Sequence, residues 1–264
     1  MTGALRTHGL RVDLGGRTVL DDIGVDIAAG ATTAIVGPNG SGKSTLLRCL
    51  ARLQDHRGAV TLDGEDVRRM PARAFARRVA LLPQAPIAPD NLTIVDLVTR
   101  GRDPYRRWYD QWSSADEAVV HEAIERTGLT DLADRPLETL SGGQRQRAWV
   151  ALALAQSADV LLLDEPTTYL DIAHQLDVLE TVAELQRERG MTVVMVLHDL
   201  GLAVRYADHI VAVHGGAIAA AGPAGSVVTP ELLRTVFGID ASLLEDPRTG
   251  RPVIVPHRAV RSRD

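Results

Sequence analysis

Apolar and polar positions alternate through residues 5–36, broken by "GG" at 15–16 and "AAG" at 28–30, which predicts short antiparallel strands joined by turns. Within that stretch "TTAIVG" reads as a buried strand that runs into a glycine-rich loop and then a helix, "KSTLLRCLARL". "GAVTLDG" predicts another strand, and "VALLPQ" ends a further one at a Pro–Gln corner. From about 89 to 152 the pattern changes. "NLTIVDLVTRG" and "ADEAVVHEAIERTGL" carry helical spacing with no strand between them, which predicts a helical insert. Strands and helices then alternate again in "DVLLLDEP", "HQLDVLETVAELQRERG", "TVVMVLHD" and "LGLAVRYA". Such alternation predicts a parallel sheet with crossover helices. No internal repeat or low-complexity linker interrupts it.

Composition changes this picture little. With 264 residues, 45% of them hydrophobic, the chain can bury a core as one large domain or a domain with a subdomain. Aromatics are only 3%, so Leu, Val and Ala must fill the interior. The formal charge of −5 and the lack of a long basic block give no sign of nucleic-acid binding. A single cysteine, Cys49, excludes an internal disulfide and a multi-cysteine zinc site, and fits a reducing compartment. "MTGALRTHGL" does not read as a signal peptide. The longest apolar runs, "AWVALALA" and "TVVMVL", fall far short of the roughly 20 residues of a spanning helix. Membrane association is expected only through a partner.

Candidate chemistry lies between these elements. "GPNGSGKST" (Gly37, Pro38, Asn39, Gly40, Ser41, Gly42, Lys43, Ser44, Thr45) fits G-x-x-x-x-G-K-[ST] and sits after a strand and before a helix. Its glycines let backbone amides face phosphates, Lys43 is placed for the β- and γ-phosphates, and the Ser44 hydroxyl for Mg²⁺. "VLLLDE" ends a buried strand in two carboxylates, which need a cation or solvent to meet them. Asp164 is expected to hold Mg²⁺ through water, and Glu165 to orient or deprotonate an attacking water. Gln84 and His198 each end an apolar run of the same expected sheet, whose carboxyl edge is where open α/β folds bind ligands. His198 is read as a γ-phosphate contact, and Gln84 as a contact to Mg²⁺ or water; a solvated loop residue is the alternative for each. "ETLSGGQRQR" reads as a helix start with Ser141 near the cap, a second anion-attracting mouth.

Taken in order, "GPNGSGKST", Gln84, "LSGGQ", "VLLLDEP", "TYLD" and His198 resemble the nucleotide-binding subunit of ABC transporters over nearly the whole chain. The resemblance implies an α/β fold: a P-loop NTPase (RecA-like) core over 1–88 and 153–238, with an N-terminal antiparallel β subdomain. An inserted helical signature subdomain would span 89–152 and a C-terminal tail 239–264. It implies ATP and Mg²⁺ as cofactors, with Glu165, His198 and Gln84 in catalysis and Ser44, Gln84 and Asp164 around the metal. It also gives the second mouth a purpose. In this family two cassettes pack head to tail, so Ser141, Gly142, Gly143 and Gln144 would complete the site of a second copy, with Asp171 at the seam. The implied partners are integral membrane permease subunits and, indirectly, a substrate-binding protein; the implied place is the cytoplasmic face of the inner membrane. One departure is expected to matter: the position where the family usually stacks an aromatic on adenine is Leu14 here.

Within the family, residues 99–129, "TTYLDIAHQLDVLE" (167–180) and "DPRTGRPVIVPHR" (246–258) resemble the ATPases of iron–siderophore importers and their cobalamin and haem relatives. In "DIAHQLDVLE" the residues Leu176, Leu179 and Val182 are expected to face the core, so the likeness rests on Asp171, His174 and Gln175. "YRRWYDQW" (105–112) offers aromatics and arginines to a permease, or else packs on its own helix. Two other classes, a soluble ABC ATPase and an inactive ATP-binding interaction module, lack support. There is no long coiled coil, zinc cysteine set or second cassette, and a dead cassette needs neither Glu165 nor His198.

Overall fold

The computed structural model describes residues 3–86, 88–106, 112–168 and 170–260. Two long strands, β1 (Leu5–Leu14) and β2 (Arg17–Ile27), form an antiparallel hairpin whose alternate residues are buried. β3 (Thr32–Val36) is buried throughout and leads through residues 37–42 into α1 (Lys43–Leu50). β4 (Arg57–Leu62) pairs with β1, and β5 (Glu65–Asp66) with β4, completing a sheet of order β2-β1-β4-β5. The short α2 (Ala72–Ala76) precedes β6 (Val79–Leu82). Three helices follow with no strand among the described residues between them: α3 (Ile94–Thr99), α4 (Ser114–Arg126) and α5 (Gly142–Ala155). β7 (Val160–Asp164), α6 (Ile172–Arg189), β8 (Thr192–Val196) and α7 (Leu200–Tyr206) then alternate. The chain ends with the hairpin of β9 (His209–His214) and β10 (Ala217–Pro223), helices α8 (Ala224–Val227) and α9 (Pro230–Phe237), and a second hairpin, β11 (Ile239–Glu245) and β12 (Pro252–Ala259).

The central sheet has the order β10-β9-β3-β8-β7-β6 and is parallel except for β10. Its strands read as continuous apolar runs because both faces are covered. Odd and even residues feed two cores. Ala34, Leu161, Leu163, Val193 and Met195 pack with α3 to α6, while Ile35, Val160, Leu162, Val194 and Val196 pack with α1 and the first sheet. The carboxyl ends of β3, β8, β7 and β6 therefore open side by side along one edge.

Two expectations need correction, and the tail gains a definite structure. β3 belongs to the parallel sheet, between β8 and β9, rather than to the antiparallel strands before it; its five residues are all buried, so no alternation marks one wet face. Along α6 the buried stripe is Val178, Leu179, Val182 and Leu185, and Leu176 is only half-buried, one turn too early to reach the sheet. The tail is a paired hairpin whose Leu243 and Ile254 pack against the main core. Arg251, in its turn, donates to the carbonyls of Val204 (3.0 Å), Arg205 (2.9 Å) and Ala207 (2.7 Å), so the tail caps the open end of α7.

Candidate functional site

The loop from Gly37 to Gly42 is shaped by its glycines for two different reasons. A Cβ on Gly37 (φ 151°) would lie 2.1 Å from the Val213 carbonyl oxygen, and one on Gly42 (φ 103°) 2.6 Å from Leu20 Cδ2. At Gly40 (φ 75°) there is open space, so only the backbone conformation requires glycine. Gly42 caps α1 without a side-chain acceptor, which leaves the first amides of that helix for an anion. Lys43 is buried with Nζ donating to the carbonyls of Gly37 (2.9 Å) and Pro38 (3.0 Å). Burial pulls its pKa below the usual lysine value, against the opposing pull of Glu165 and Asp164. Ser41 Oγ, in the same loop, is buried without a hydrogen-bond partner among the described residues.

Across the edge, the Ser44 hydroxyl donates to Asp164 Oδ1 at 2.8 Å, joining the start of α1 to the end of β7. Asp164 is buried, and desolvation raises its pKa above the ordinary carboxylate value despite that hydrogen bond. Glu165 follows in the left-handed region (φ 55°), an uncommon conformation for a non-glycine residue, and its N–H donates to the Val196 carbonyl at 3.2 Å. The turn swings its carboxylate back over the strand ends. There Oε2 accepts from Gln84 Nε2 at 2.5 Å and from Thr168 Oγ1 at 3.1 Å, and Oε1 stands 2.5 Å from His198 Nε2.

Thus Gln84 (after β6), Asp164 (the end of β7), Glu165 (just after it) and His198 (after β8) converge on the glycine-rich loop that follows β3. A cavity of about 400 Å³ is lined by Asn39, Gly40, Gly42, Lys43, Ser44 and Thr45 on one side and by Gln84, Glu165 and His198 on the other. Val19, from β2, completes the lining and was not among the residues read from the sequence; neither was Thr168. Leu14 is not part of this lining. It lies 42% exposed at the end of β1, opposite Arg17.

The donor set suits a hard cation. A hydroxyl and a carboxylate meet at Ser44 and Asp164, and among the described residues no group of three or more His, Cys, Asp or Glu could cage a metal unaided. Such a site matches Mg²⁺, which keeps several waters and takes its other ligands from phosphates.

Ser141, Gly142, Gly143 and Gln144 lie apart from this cavity. Ser141 is the N-cap of α5: its Oγ accepts from Gln144 N (3.2 Å), while Gln144 Oε1 accepts from Ser141 N (3.0 Å). Nothing stands within 4 Å of a Cβ placed on Gly142, whereas one on Gly143 would fall 2.6 Å from the His174 ring. Asp171 caps α6. Its Oδ1 accepts from His174 N (2.9 Å) and lies 2.7 Å from His174 Nδ1, contacts that hold its pKa below the usual range. Ile172 beside it is 77% exposed. A smaller cleft is formed by Pro86, Ala88, Pro89 and Asp90 against Leu137, Glu138, Arg145 and Trp149. Of "YRRWYDQW", Tyr105 stacks under the guanidinium of Arg102, and residues 107–111 lie outside the described residues.

Comparison with known proteins shows the family and the fold. Residues 20–168 match the family described as ABC transporter. The chain is 47% identical to the ferric enterobactin transport ATP-binding protein of Escherichia coli (strain K12) over 253 residues, 96% of this chain and 93% of that protein. It is 46% identical to the achromobactin transport ATP-binding protein of Dickeya dadantii (strain 3937) over 254 residues, 96% of this chain and 94% of that one. An inward-facing ABC transporter described as of metal-chelate type has a chain of the same fold, with a TM-score of 0.83 at 27% identity, covering 97% of this chain and 98% of that one. The match spans both the phosphate loop and the strand that ends in Asp164. This chain belongs to the ABC transporter family.

Proposed function

We propose that the protein is the ATP-hydrolysing subunit of a membrane importer for iron–siderophore complexes, acting as a pair of copies with Mg²⁺. The observation that carries the hydrolytic part is the setting of Glu165: three side chains from three different segments fix its carboxylate beside the Ser44–Asp164 pair.

In this reading the amides of residues 39–45 and Lys43 hold the phosphates of ATP. Ser44 and Asp164 would hold Mg²⁺, which when bound would supply positive charge against the β- and γ-phosphates. Glu165 takes a hydrogen bond, or the proton, from the attacking water, while Gln84 and Thr168 fix its second oxygen. His198, from the neighbouring strand, faces the γ-phosphate side and keeps Glu165 in register. Val19 supplies apolar contact in the cavity, and Leu14, exposed outside its lining, offers the base an apolar surface without aromatic stacking.

The signature mouth at Ser141 serves the phosphate loop of a second copy. Two facts support this: none of Ser141 to Gln144 lines the chain's own cavity, and Ile172 leaves a large apolar side chain exposed beside Asp171. The cleft of Pro86, Ala88, Pro89 and Asp90 against α5, with Trp149 in its wall, supports docking of a permease helix there, and with it a peripheral position at the cytoplasmic face of the inner membrane. The siderophore cargo is supported by the relatives, which are named for achromobactin and ferric enterobactin transport, and by Asp171, His174 and Gln175. The test is uptake: vesicles holding the permease and this subunit should accumulate a ferric siderophore only with Mg-ATP inside. Accumulation of haem or cobalamin instead would move the cargo, and ATP-independent uptake would remove the motor.

A further inference from the structure

The polar residues of "DIAHQ" make contacts that the proposed chemistry does not use. His174, in the first turn of α6, lays its ring where a side chain on Gly143 would be. A Cβ there would meet His174 Cδ2 at 2.6 Å, Cγ at 2.9 Å and Nε2 at 3.2 Å, all closer than ordinary packing allows. Asp171 fixes that ring, since one carboxylate oxygen takes both the backbone N–H of His174 and its Nδ1–H. Gln175, the next residue, donates to the carbonyls of Leu170 (3.0 Å) and Thr167 (3.4 Å). Those residues belong to the loop in which Thr168 holds Glu165. A run of direct contacts therefore joins Glu165, through Thr168, the Gln175-pinned loop and Asp171, to the His174 ring and the second residue of α5.

We infer that His174 is a positioning residue: its Asp171-held ring is the seat of Gly143, and sets the signature mouth relative to the chain's own Glu165. The inference rests on the composite-site reading above, in which that mouth faces the nucleotide of the second copy. It gives Gly143 a reason inside its own chain, because any side chain there displaces the seat. It also gives the pair of sites a physical link, since a shift at Glu165 reaches the surface that closes the other site.

The test uses the full chain in two measurements. Hydrogen exchange of the amides of residues 142–146, without nucleotide, reads the seat itself. The Mg-ATP-driven dimer of the Glu165→Gln chain, measured by light scattering beside the affinity of the single chain for a fluorescent ATP analogue, reads its consequence. His174→Ala should speed exchange at Gln144 and Arg145 about tenfold and weaken the dimer at least fivefold, with single-chain nucleotide affinity within twofold of native. His174→Asn, which keeps an N–H toward Asp171, should recover at least half of each loss. Gly143→Ala should already displace the ring, so adding His174→Ala should cost the dimer little more. Native exchange and native dimerisation in His174→Ala overturn the inference, as does a double variant whose loss is the product of the two single losses. If exchange responds as stated but the Glu165→Gln parent fails to dimerise with Mg-ATP, the seat stands and the composite-site reading falls.

Discussion

The imidazole of His198 faces the carboxylate of Glu165 across 2.5 Å, from the end of β8 to the turn after β7. Gln84, on the far side of β7, holds the other oxygen of the same carboxylate. The carboxylate is thus clamped between two strand ends, a geometry that favours positioning over general flexibility. His198→Ala should lower kcat about a hundredfold and leave KM for ATP within threefold, because the phosphate loop does not depend on it. Steady-state ATPase kinetics check this. An unchanged kcat would remove His198 from the chemistry.

Ser44, half-buried, and Asp164, buried, share one hydrogen bond. Asp164→Asn keeps the shape and removes the charge, so the Mg²⁺ concentration for half-maximal ATPase should rise more than tenfold. Affinity for ATP in the presence of a chelator should change little. Magnesium titrations of rate and of binding separate the two effects.

Leu14 offers an exposed apolar surface rather than a ring. Stacking adds about 0.5–1.5 kcal/mol beyond burial, so Leu14→Tyr should tighten ATP by about tenfold at most. The native chain should discriminate poorly between ATP and GTP. Competition binding measures both, and a hundredfold native preference for ATP would mean that another group reads the base.

Much of the site's placement was legible in the sequence because its motifs are local. Gly37 to Thr45 and Asp164–Glu165 fall in short spacings at the ends of β3 and β7, as does the Ser141–Gln144 cap at the start of α5. What was hidden depends on contacts between distant segments. Val19 enters the cavity from β2, and Thr168 reaches Glu165 only because Glu165 adopts a positive φ that no residue type announces. The seat of Gly143 on His174 joins two helices whose own periodicity is satisfied without it. β3 was grouped with the wrong sheet because a fully buried strand shows no alternation. In the tail hairpin Leu244 and Val253 are exposed, which blurs the two-residue period.

Arg102 and Asp116 form an ion pair at 2.8 Å with both side chains largely buried, tying the turn after α3 to the start of α4. The Ser113 hydroxyl, and then Arg102, hold the Asp116 carboxyl below its usual 3.8. A lowered folded pKa means that the unfolded chain binds the proton more readily. The stabilisation is therefore fully present above about pH 4 and lost as pH falls through the folded value. Asp116→Asn should cost about 3 kcal/mol at pH 7 by leaving Arg102 buried without its partner, and should flatten the acid limb of stability. Urea unfolding between pH 3 and pH 7 checks the sign as well as the size.

The central claim, that each nucleotide lies between the phosphate loop of one copy and the signature helix of the other, is tested by two mixed dimers. Each is purified through two tags and assayed for ATPase with the permease present. In the first, Lys43→Ala is on one chain and Ser141→Arg on the other. A composite arrangement then leaves one site whole, because the sound loop and the sound signature meet. In the second, both changes are on one chain and its partner is native, so every composite site contains one damaged half. The account predicts measurable ATPase in the first dimer and almost none in the second. Almost none in the first and about half the native rate in the second would contradict it.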